Sequence, residues 1–335
     1  MTAREPVLAL PEQNAFARLA ANPWARFAAR RGVRLLVSLW VLITASFLMI
    51  HLIPGDPVRG ALGPTAPADL VASTRAALGL DEPLWVQYLD YVRGLLSGDL
   101  GNSMISKLPV SDIIAQRLPA TMALAVLAFV VSVLIAVPLG VFMGVVTRRG
   151  RHRRVELGFT TTSVVLGTVP DIIFGVILAY VFAVELGLVP VAGRSGPESY
   201  ILPVLALAIG PSVILARLIR VEMLSVLDAD FVRTARAKRL PAPVIYLGHA
   251  LPNALTASLT TAGLLLGSLV AATVLVENVF AWPGLGGTIV SSILNKDYLV
   301  VQATVLVYGT FVLLVNLAVD VILALLDPRS LIRQD

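Results

Sequence analysis

Few side chains in this sequence have the types or spacings that carry out bond chemistry. Cysteine is absent, and the three histidines (His51, His152 and His249) are far apart, so neither a thiol nucleophile nor a pair of imidazole ligands is indicated. The motifs G-x-x-x-x-G-K-[ST], H-E-x-x-H and G-x-S-x-G are all missing. The glycine run at 284–287 predicts a tight turn rather than a dinucleotide fingerprint. We therefore expect no catalytic residue, no metal site and no cofactor bound by this chain.

Polar side chains inside apolar runs are better functional candidates, because a charge within a membrane is costly and is usually functional. Five of them are candidates for a translocation pathway: Asp171, Arg217, Arg220, Glu277 and Asn278. A helix-capping role suits Asp171 equally well, since it follows a proline. Snorkelling and mutual pairing suit Arg217, Arg220 and Glu222. Solvation at the outer interface suits Glu277 and Asn278, and interhelical hydrogen bonding suits Asn316 and Asp320, which are four residues apart.

The composition indicates a membrane protein. Hydrophobic residues make up 57% of the 335 residues, charged residues only 14%, and the mean hydropathy is +0.85. A soluble domain of this size could not bury so much apolar surface. The net charge of +5 does not indicate a nucleic-acid partner, because the arginines cluster at the ends of apolar runs, where they orient a protein in a bilayer.

Six segments are long enough to cross a hydrocarbon core, which takes about 20 apolar residues. They are residues 33–53, 119–146, 157–186, 201–223, 254–276 and 298–326. Prolines and glycines interrupt several of them, for example at Pro170, and such breaks are tolerated where neighbouring helices or a water-filled path satisfy the backbone. The pairs Gly140/Gly144 and Gly263/Gly267 place small residues four apart, which favours close helix packing.

The short loops predict the orientation. Residues 147–154 contain five arginines, whereas the loop at 187–200 contains only Arg194. By the positive-inside rule the first loop is cytoplasmic, and six spans then place both termini and the polar segment 230–253 on that side. Residues 13–31 mix aromatic and basic side chains and predict an interfacial amphipathic helix without a cleavable signal.

Residues 54–118 form the one large segment predicted to lie outside. Apolar residues at helical spacing predict a helix over 83–96, with Trp85 and Tyr88 as candidate contacts for a partner, and a further short helix is expected over 67–78. We expect this segment to cover the outer mouth of a pore, because long structureless loops are uncommon, although a plain connection is the alternative.

The segment 230–253 is polar and basic, yet it stands between two long apolar runs. It predicts a short helix that Asp228 or Asp230 caps and that ends before Pro241, with a small-residue surface at Ala235 and Ala237. Such a helix is suited to contact with another protein.

This segment resembles the EAA motif of binding-protein-dependent ABC importer permeases: Arg233-Thr234-Ala235 stands where that family has Glu-Ala-Ala, and Leu251-Pro252 matches its ending. The likeness extends over nearly the whole chain to the dipeptide, oligopeptide and nickel branch of these permeases. Phrases typical of that branch occur at 54–57, 78–81, 98–101, 117–121, 230–238, 277–286, 297–298 and 326–329.

The resemblance implies a type I, all-α permease with six transmembrane helices, whose coupling helix at 230–240 docks into a groove on a cytoplasmic ATPase. It assigns ATPase coupling to Asp230, Arg233, Thr234, Ala235, Lys238, Arg239, Leu251 and Pro252. Arg239 stands where the family usually has glycine. We therefore expect the helix to end because Pro241 forces Leu240 into an extended conformation, rather than through a left-handed residue.

The regions expected are a cytoplasmic tail and interfacial helix (1–32), a first span (33–53), an extracytoplasmic segment (54–118), a five-helix core (119–327) and a cytoplasmic tail (328–335). The resemblance further implies a second related permease, two ATPase subunits that bind ATP and Mg, and an extracytoplasmic binding protein, all at the inner membrane of a prokaryote. The implied substrate is a di- or oligopeptide, with nickel, haem or another small solute as alternatives. A channel or secondary transporter is the competing class, but it would be expected to show a repeat or midplane carboxylates, and only Asp171 comes close.

Overall fold

A computed structural model of the protein describes residues 23–52 and 56–326. The helices in chain order are α1 (Pro23–Leu52), α2 (Pro57–Leu62), α3 (Ala68–Ala77), α4 (Leu84–Ser97), α5 (Val110–Val146), α6 (Arg153–Thr168), α7 (Asp171–Leu178), α8 (Ile201–Leu227), α9 (Asp230–Ala237), α10 (Leu251–Val279), α11 (Leu285–Leu294) and α12 (Tyr298–Leu326). Two π-helical stretches extend this set: Ala179–Glu185 continues α7, and Val244–Ala250 leads into α10. The predicted all-α class is confirmed for the described residues.

Five helices are long and apolar enough to cross a membrane, namely α1, α5, α8, α10 and α12. The helix α6 meets α7 and the π-helical stretch that continues it at an angle of 95°, and this bent pair is long and apolar enough to count as a sixth span. The bend lies at Pro170, which lacks a backbone N–H and keeps Val169 extended (φ −69°, ψ 126°). With this bent pair taken as one span, the count of six agrees with the prediction, and the break expected in the third span is confirmed.

The first span differs from its predicted bounds. Residues 23–31 of the expected interfacial helix are the opening turns of α1, which continues without interruption to Leu52. The boundary expected at residue 32 is therefore not a helix end. The rest of that interfacial helix, the tails at 1–22 and 327–335, and residues 53–55 lie outside the described residues.

Both glycine pairs lie at close helix–helix contacts, as predicted. On α5, a Cβ at Gly140 would lie 2.7 Å from the carbonyl oxygen of Ala216, and one at Gly144 would lie 2.8 Å from Cβ of Met223, so these glycines let α5 approach α8. On α10, Gly263 faces Val319 of α12 in the same way. These contacts make α5, α8 and α10 the buried centre, whereas α1 and α12 lie at the periphery and pack on each other.

The outer segment folds into α2, α3 and α4. Asp56 accepts a hydrogen bond from Val58 N at the start of α2 and forms a 2.7 Å ion pair with Arg75 of α3. The Arg75 guanidinium holds the pKa of the Asp56 carboxyl below its usual range. Further along, the hydroxyl of Ser103 donates to Asp297, which precedes α12. The segment is thus ordered and connected to the transmembrane core.

Candidate functional site

The short helix α9 begins directly after α8 ends. Ala229 occupies the position before the helix and provides no side-chain cap, so the capping predicted for Asp228 or Asp230 is wrong. Asp228 is instead engaged by Arg148, whose Nη2 donates to its Oδ1 at 2.6 Å and to Leu227 O at 2.8 Å. This guanidinium lowers the pKa of the Asp228 carboxyl. The turn after α5 thereby determines where α8 ends and α9 starts.

The end of α9 also differs from the prediction. Arg239 itself adopts the left-handed conformation, with φ 57°. Its N–H donates to Arg236 O at 2.9 Å, and Leu240 N donates to Ala235 O at 3.3 Å, which satisfies the last carbonyls of the helix. Arginine therefore takes the conformation that glycine would take in the family, although a side chain makes that conformation costly.

The two faces of α9 differ sharply in burial. Val232 is fully buried and Ala235 is 7% exposed, and both pack against the chain's own core beside Leu227 and Ile245. Ala235 is thus an inward-facing residue, whereas Ala237, the other member of the expected small-residue surface, is exposed. The residues that α9 exposes are Asp230, Phe231, Arg233, Thr234 and Ala237, and Lys238, which follows the helix, is exposed as well.

Phe231 is the member of this exposed face that the sequence analysis missed. Its side chain is 44% exposed. The signal was present in the helical spacing: Val232 and Ala235 are three residues apart and turn inward, which leaves the adjacent phenylalanine outside. An exposed aromatic ring on a polar helix is suited to a protein contact.

Leu251 and Pro252 lie at the start of α10, after the π-helical stretch against which α9 packs. Pro252 is exposed and Leu251 is partly buried. The two ends of the EAA-like segment are therefore separate elements that meet through the π-helical stretch, with Ile245 buried between them and the core.

Arg220 lies on α8 and is 7% exposed. Its Nη2 donates to Glu156 Oε1 of α6 at 2.5 Å, and its Nε donates to Thr147 Oγ1 at 3.0 Å. The expected pairing with Glu222 is thus wrong for Arg220, whose partners are Glu156 on α6 and Thr147 at the end of α5. Arg217, in contrast, is exposed on α8.

Glu277 is buried rather than solvated, which corrects the simple expectation for it. Its carboxylate accepts hydrogen bonds from Thr121 Oγ1 at 2.6 Å, Gly286 N at 2.6 Å and Gly287 N at 3.2 Å. The two backbone donors belong to the first turn of α11, where a negative charge is favourable. Asn278, the next residue, is exposed and donates to Val274 O.

The turn between α10 and α11 depends on this arrangement. Thr121 also accepts from Leu285 N at 2.9 Å, and Trp282 Nε1 donates to Ala120 O at 3.2 Å. A Cβ at Gly286 would lie 2.5 Å from Cα of Val274, so only glycine fits there. The chain turns at Pro283 and Gly284, but residues 285–287, where the tight turn was predicted to continue, form the first turn of α11. The glycines there allow α11 to approach Glu277.

Asp171 is the first residue of α7, directly after the bend at Pro170. It is partly buried, and its Oδ1 would lie 3.5 Å from a Cβ at Gly210, so it faces α8 at the level of the bend.

Trp85 and Tyr88 lie on different sides of α4: Tyr88 contacts α1, whereas Trp85 is exposed. Tyr88 packs edge-on against Phe47 of α1 at 5.2 Å, and its hydroxyl lies 3.0 Å from Thr44 Oγ1. Trp85 is 67% exposed, and Leu89 and Leu96 on the same face of the helix are exposed as well. One side of α4 thus attaches to α1, and the other presents apolar side chains outward.

Residues 136–332, more than half of the chain, match the family described as the binding-protein-dependent transport system inner membrane component. Residues 24–125 match the N-terminal family of the same transport-system membrane components. The chain belongs to this family. It is therefore a multi-pass permease subunit of an ABC importer in the inner membrane of a bacterium.

Two curated relatives of this permease are similar to it along almost their whole length. The glutathione transport system permease protein GsiC of Salmonella choleraesuis (strain SC-B67) is 38% identical over 299 residues, which cover 89% of this chain and 96% of the relative. The protein of the same name from Escherichia coli (strain K12) is 37% identical over 300 residues, with the same coverage. These relatives confirm the dipeptide and oligopeptide branch indicated by the sequence phrases.

A solved structure supports the fold of the permease. An inward-facing conformation of the MetNI methionine ABC transporter matches with a TM-score of 0.55 and 21% identity, over 64% of this chain and 96% of that chain. At this identity the match establishes the type I permease fold alone.

Proposed function

We propose that this permease imports di- or oligopeptides into the cell by alternating access. The observation that carries the proposal is the similarity to two glutathione transport permeases over 96% of their length. Glutathione is a small peptide, so a peptide-type substrate fits this branch better than nickel, haem or another solute. A second related permease would complete the pathway, and an extracytoplasmic binding protein would deliver the substrate.

The energy would come from two cytoplasmic ATPase subunits that bind ATP and Mg, with no cofactor in this chain. We place their docking surface on the exposed face of α9, with Phe231 as its apolar centre and Arg233, Thr234 and Lys238 around it. Exposed Pro252 and partly buried Leu251 contribute from the start of α10. Asp230 supports this face, because its carboxylate pairs with Arg233 at 3.2 Å and its carbonyl accepts from Thr234.

Movement of α9 would reach the spans by three contacts. The inward face of α9, Val232 and Ala235, packs on the last turn of α8, and Arg148 connects that turn to the end of α5. Arg220, which lies towards the end of α8, connects that helix to α6. We propose that Arg220 acts through these contacts, whereas Asp171 and Arg217 remain candidates for the pathway surface.

At the outer end, Glu277 would position α11 beside the exit of α10, and the exposed Asn278 remains a pathway candidate. The apolar face of α4 that includes Trp85 would contact the binding protein during delivery, while Tyr88 attaches α4 to α1.

Uptake in proteoliposomes tests the proposal. The permease would be purified with its partner subunits from its own membrane and supplied with the binding protein, ATP and labelled dipeptide, glutathione or Ni²⁺. We expect ATP-dependent accumulation of peptide and none of Ni²⁺. Accumulation of Ni²⁺ alone would overturn the substrate class, and peptide uptake that persists without ATP would overturn the importer mechanism in favour of a secondary transporter.

A further inference from the structure

A cleft of about 260 Å³ opens between α1 and α12, with Leu264 of α10 behind it. Its polar rim includes Arg31, Arg34 and Ser38 of α1 and Asp320 of α12, and the rest of its lining is mostly leucine and valine. The cleft thus combines a charged mouth with apolar walls.

The position of the cleft relative to the membrane follows from the order of the spans. Arg31 and Arg34 lie in the opening turns of α1, and Asp320 lies in the last two turns of α12. Six alternating spans place these ends at the same side as α9 and the arginine-rich turn after α5. By the positive-inside rule this is the cytoplasmic leaflet, and Arg34 lies near the depth of its headgroups.

The charges at the mouth are not balanced. Arg31 forms a 2.6 Å ion pair with Asp320 and lies over the ring of Phe27 at 5.7 Å. Arg34 is exposed, and no ion pair within the described part of the chain holds it. Two arginines against one aspartate leave one net positive charge beside the Ser38 hydroxyl.

We propose that this cleft binds one anionic phospholipid of the cytoplasmic leaflet. The headgroup phosphate would lie against Arg34 and Ser38, and an acyl chain would lie along the leucines of α10 and α12. Guanidinium groups match phosphate geometry well, and basic pockets between transmembrane helices on the cytoplasmic side are suited to such headgroups. Next to the cleft, Val33, Leu36 and Val37 of α1 are 60%, 67% and 52% exposed, which continues the apolar surface for lipid chains.

Other occupants fit the cleft less well. Residues 1–22 contain two arginines and two glutamates, so that segment has no net negative charge to complement the mouth. A peptide segment from a partner subunit would also bring backbone N–H and C=O groups into an apolar cleft, where they need partners. A phospholipid supplies the negative charge and leaves no backbone group unsatisfied.

Native mass spectrometry of the intact importer tests the proposal. The purified complex would be titrated with phosphatidylglycerol, phosphatidylcholine or inorganic phosphate, using the parent and two variants. Arg34→Gln removes the charge at the cleft, and Arg30→Gln is the matched control, because it removes the same charge from the same helix at a residue that does not line the cleft. We expect phosphatidylglycerol to bind in preference to phosphatidylcholine, and Arg34→Gln to weaken its first binding step about five-fold, with little change in Arg30→Gln.

The location is tested by alkylation of a single cysteine, since the parent chain has none. A cysteine at Ser38 should react more slowly when phosphatidylglycerol is present, and one at Leu36, on the exposed side of α1, should not. If Arg34→Gln and Arg30→Gln weakened phosphatidylglycerol binding equally, the effect would be one of general surface charge, and the proposed site would be wrong. If inorganic phosphate protected the cysteine at Ser38 equally well, the occupant of the cleft would be free phosphate. If protection persisted without lipid, the occupant would be a protein segment. Either result would overturn the proposal.

Discussion

The two ends of the permease hold their connecting segments by different means. At the end that carries α11, one fully buried carboxylate, Glu277, receives hydrogen bonds from Thr121 and from the backbone at the start of α11. At the end that carries α9, the corresponding contact is the ion pair between Arg148 and Asp228, whose side chains are 14% and 60% exposed. The contact that holds α11 is thus buried, whereas the ion pair beside α9 is partly exposed.

This difference indicates which end can change its contacts during a transport cycle. A buried carboxylate with directed donors is costly to separate from them, because each group would be left unsatisfied. An exposed ion pair exchanges readily with water and contributes little to stability. We therefore expect α11 to move as one body with α10, and α9 to adjust its position on α8.

The largest effect is expected from Glu277→Ala. The substitution leaves Thr121 and the N–H groups of Gly286 and Gly287 without their acceptor, and it should lower the stability of the complex by about 3 kcal/mol. Thermal unfolding of the purified complex measures the change. Asn278→Ala is the matched control, because Asn278 is exposed on the same turn and should leave the midpoint almost unchanged. Equal midpoints for the two variants would show that Glu277 does not hold α11.

A smaller effect on stability, but a clear one on function, is expected from Phe231→Ser. The ring is 44% exposed, so its loss should hardly change the unfolding midpoint, whereas an apolar anchor removed from a docking surface costs about 2 kcal/mol in binding. The measurement is the ATPase content of the purified complex and the peptide transported per ATP hydrolysed. Val155→Ser is the control, since Val155 is 45% exposed on α6 at the same end. If Phe231→Ser kept a normal ATPase content and normal coupling, the proposal that α9 is the docking surface would be wrong.

Arg148→Gln should affect coupling more than stability. The substitution weakens the contacts with Asp228 and Leu227 that determine the junction of α8 and α9, so peptide transported per ATP should fall while unfolding changes little. Because the pKa of Asp228 is lowered, its carboxylate is ionised at every pH above the usual aspartate pKa. The ion pair is lost only as the pH falls through the lowered pKa. Coupling in the parent should therefore not change between about pH 6 and pH 8 through this pair. If coupling depended strongly on pH in that range, and the dependence disappeared in Arg148→Gln, the role given to the ion pair between Arg148 and Asp228 would be wrong.

The sequence predicts what depends on composition and local pattern. The six apolar segments follow from runs of apolar residues, the bend at Pro170 from the missing backbone N–H, and close helix packing at Gly140 and Gly144 from small residues four apart, although the pattern does not name α8 as the partner. The burial of Glu277 could not be predicted, because its partners Thr121 and Gly286 belong to other segments of the chain. The inward direction of Ala235 likewise depends on how α9 packs on α8, which the short, polar segment does not reveal by itself.

The smallest effect, and the one with the opposite sign, is expected from Arg239→Gly. Arg239 has φ 57°, a conformation that costs an L-residue about 1–2 kcal/mol and glycine almost nothing. Glycine also makes the unfolded chain more flexible, which offsets about half of this gain, so the net stabilisation should be about 0.5–1 kcal/mol.

Thermal unfolding measures this stabilisation against two controls. Arg239→Ala removes the same side chain but keeps the strain, so it should not stabilise the complex. Lys238→Gly adds the same flexibility at φ −74°, so it should destabilise the complex. If the unfolding midpoint of Arg239→Gly were no higher than that of Arg239→Ala, the left-handed conformation at the end of α9 would not be strained.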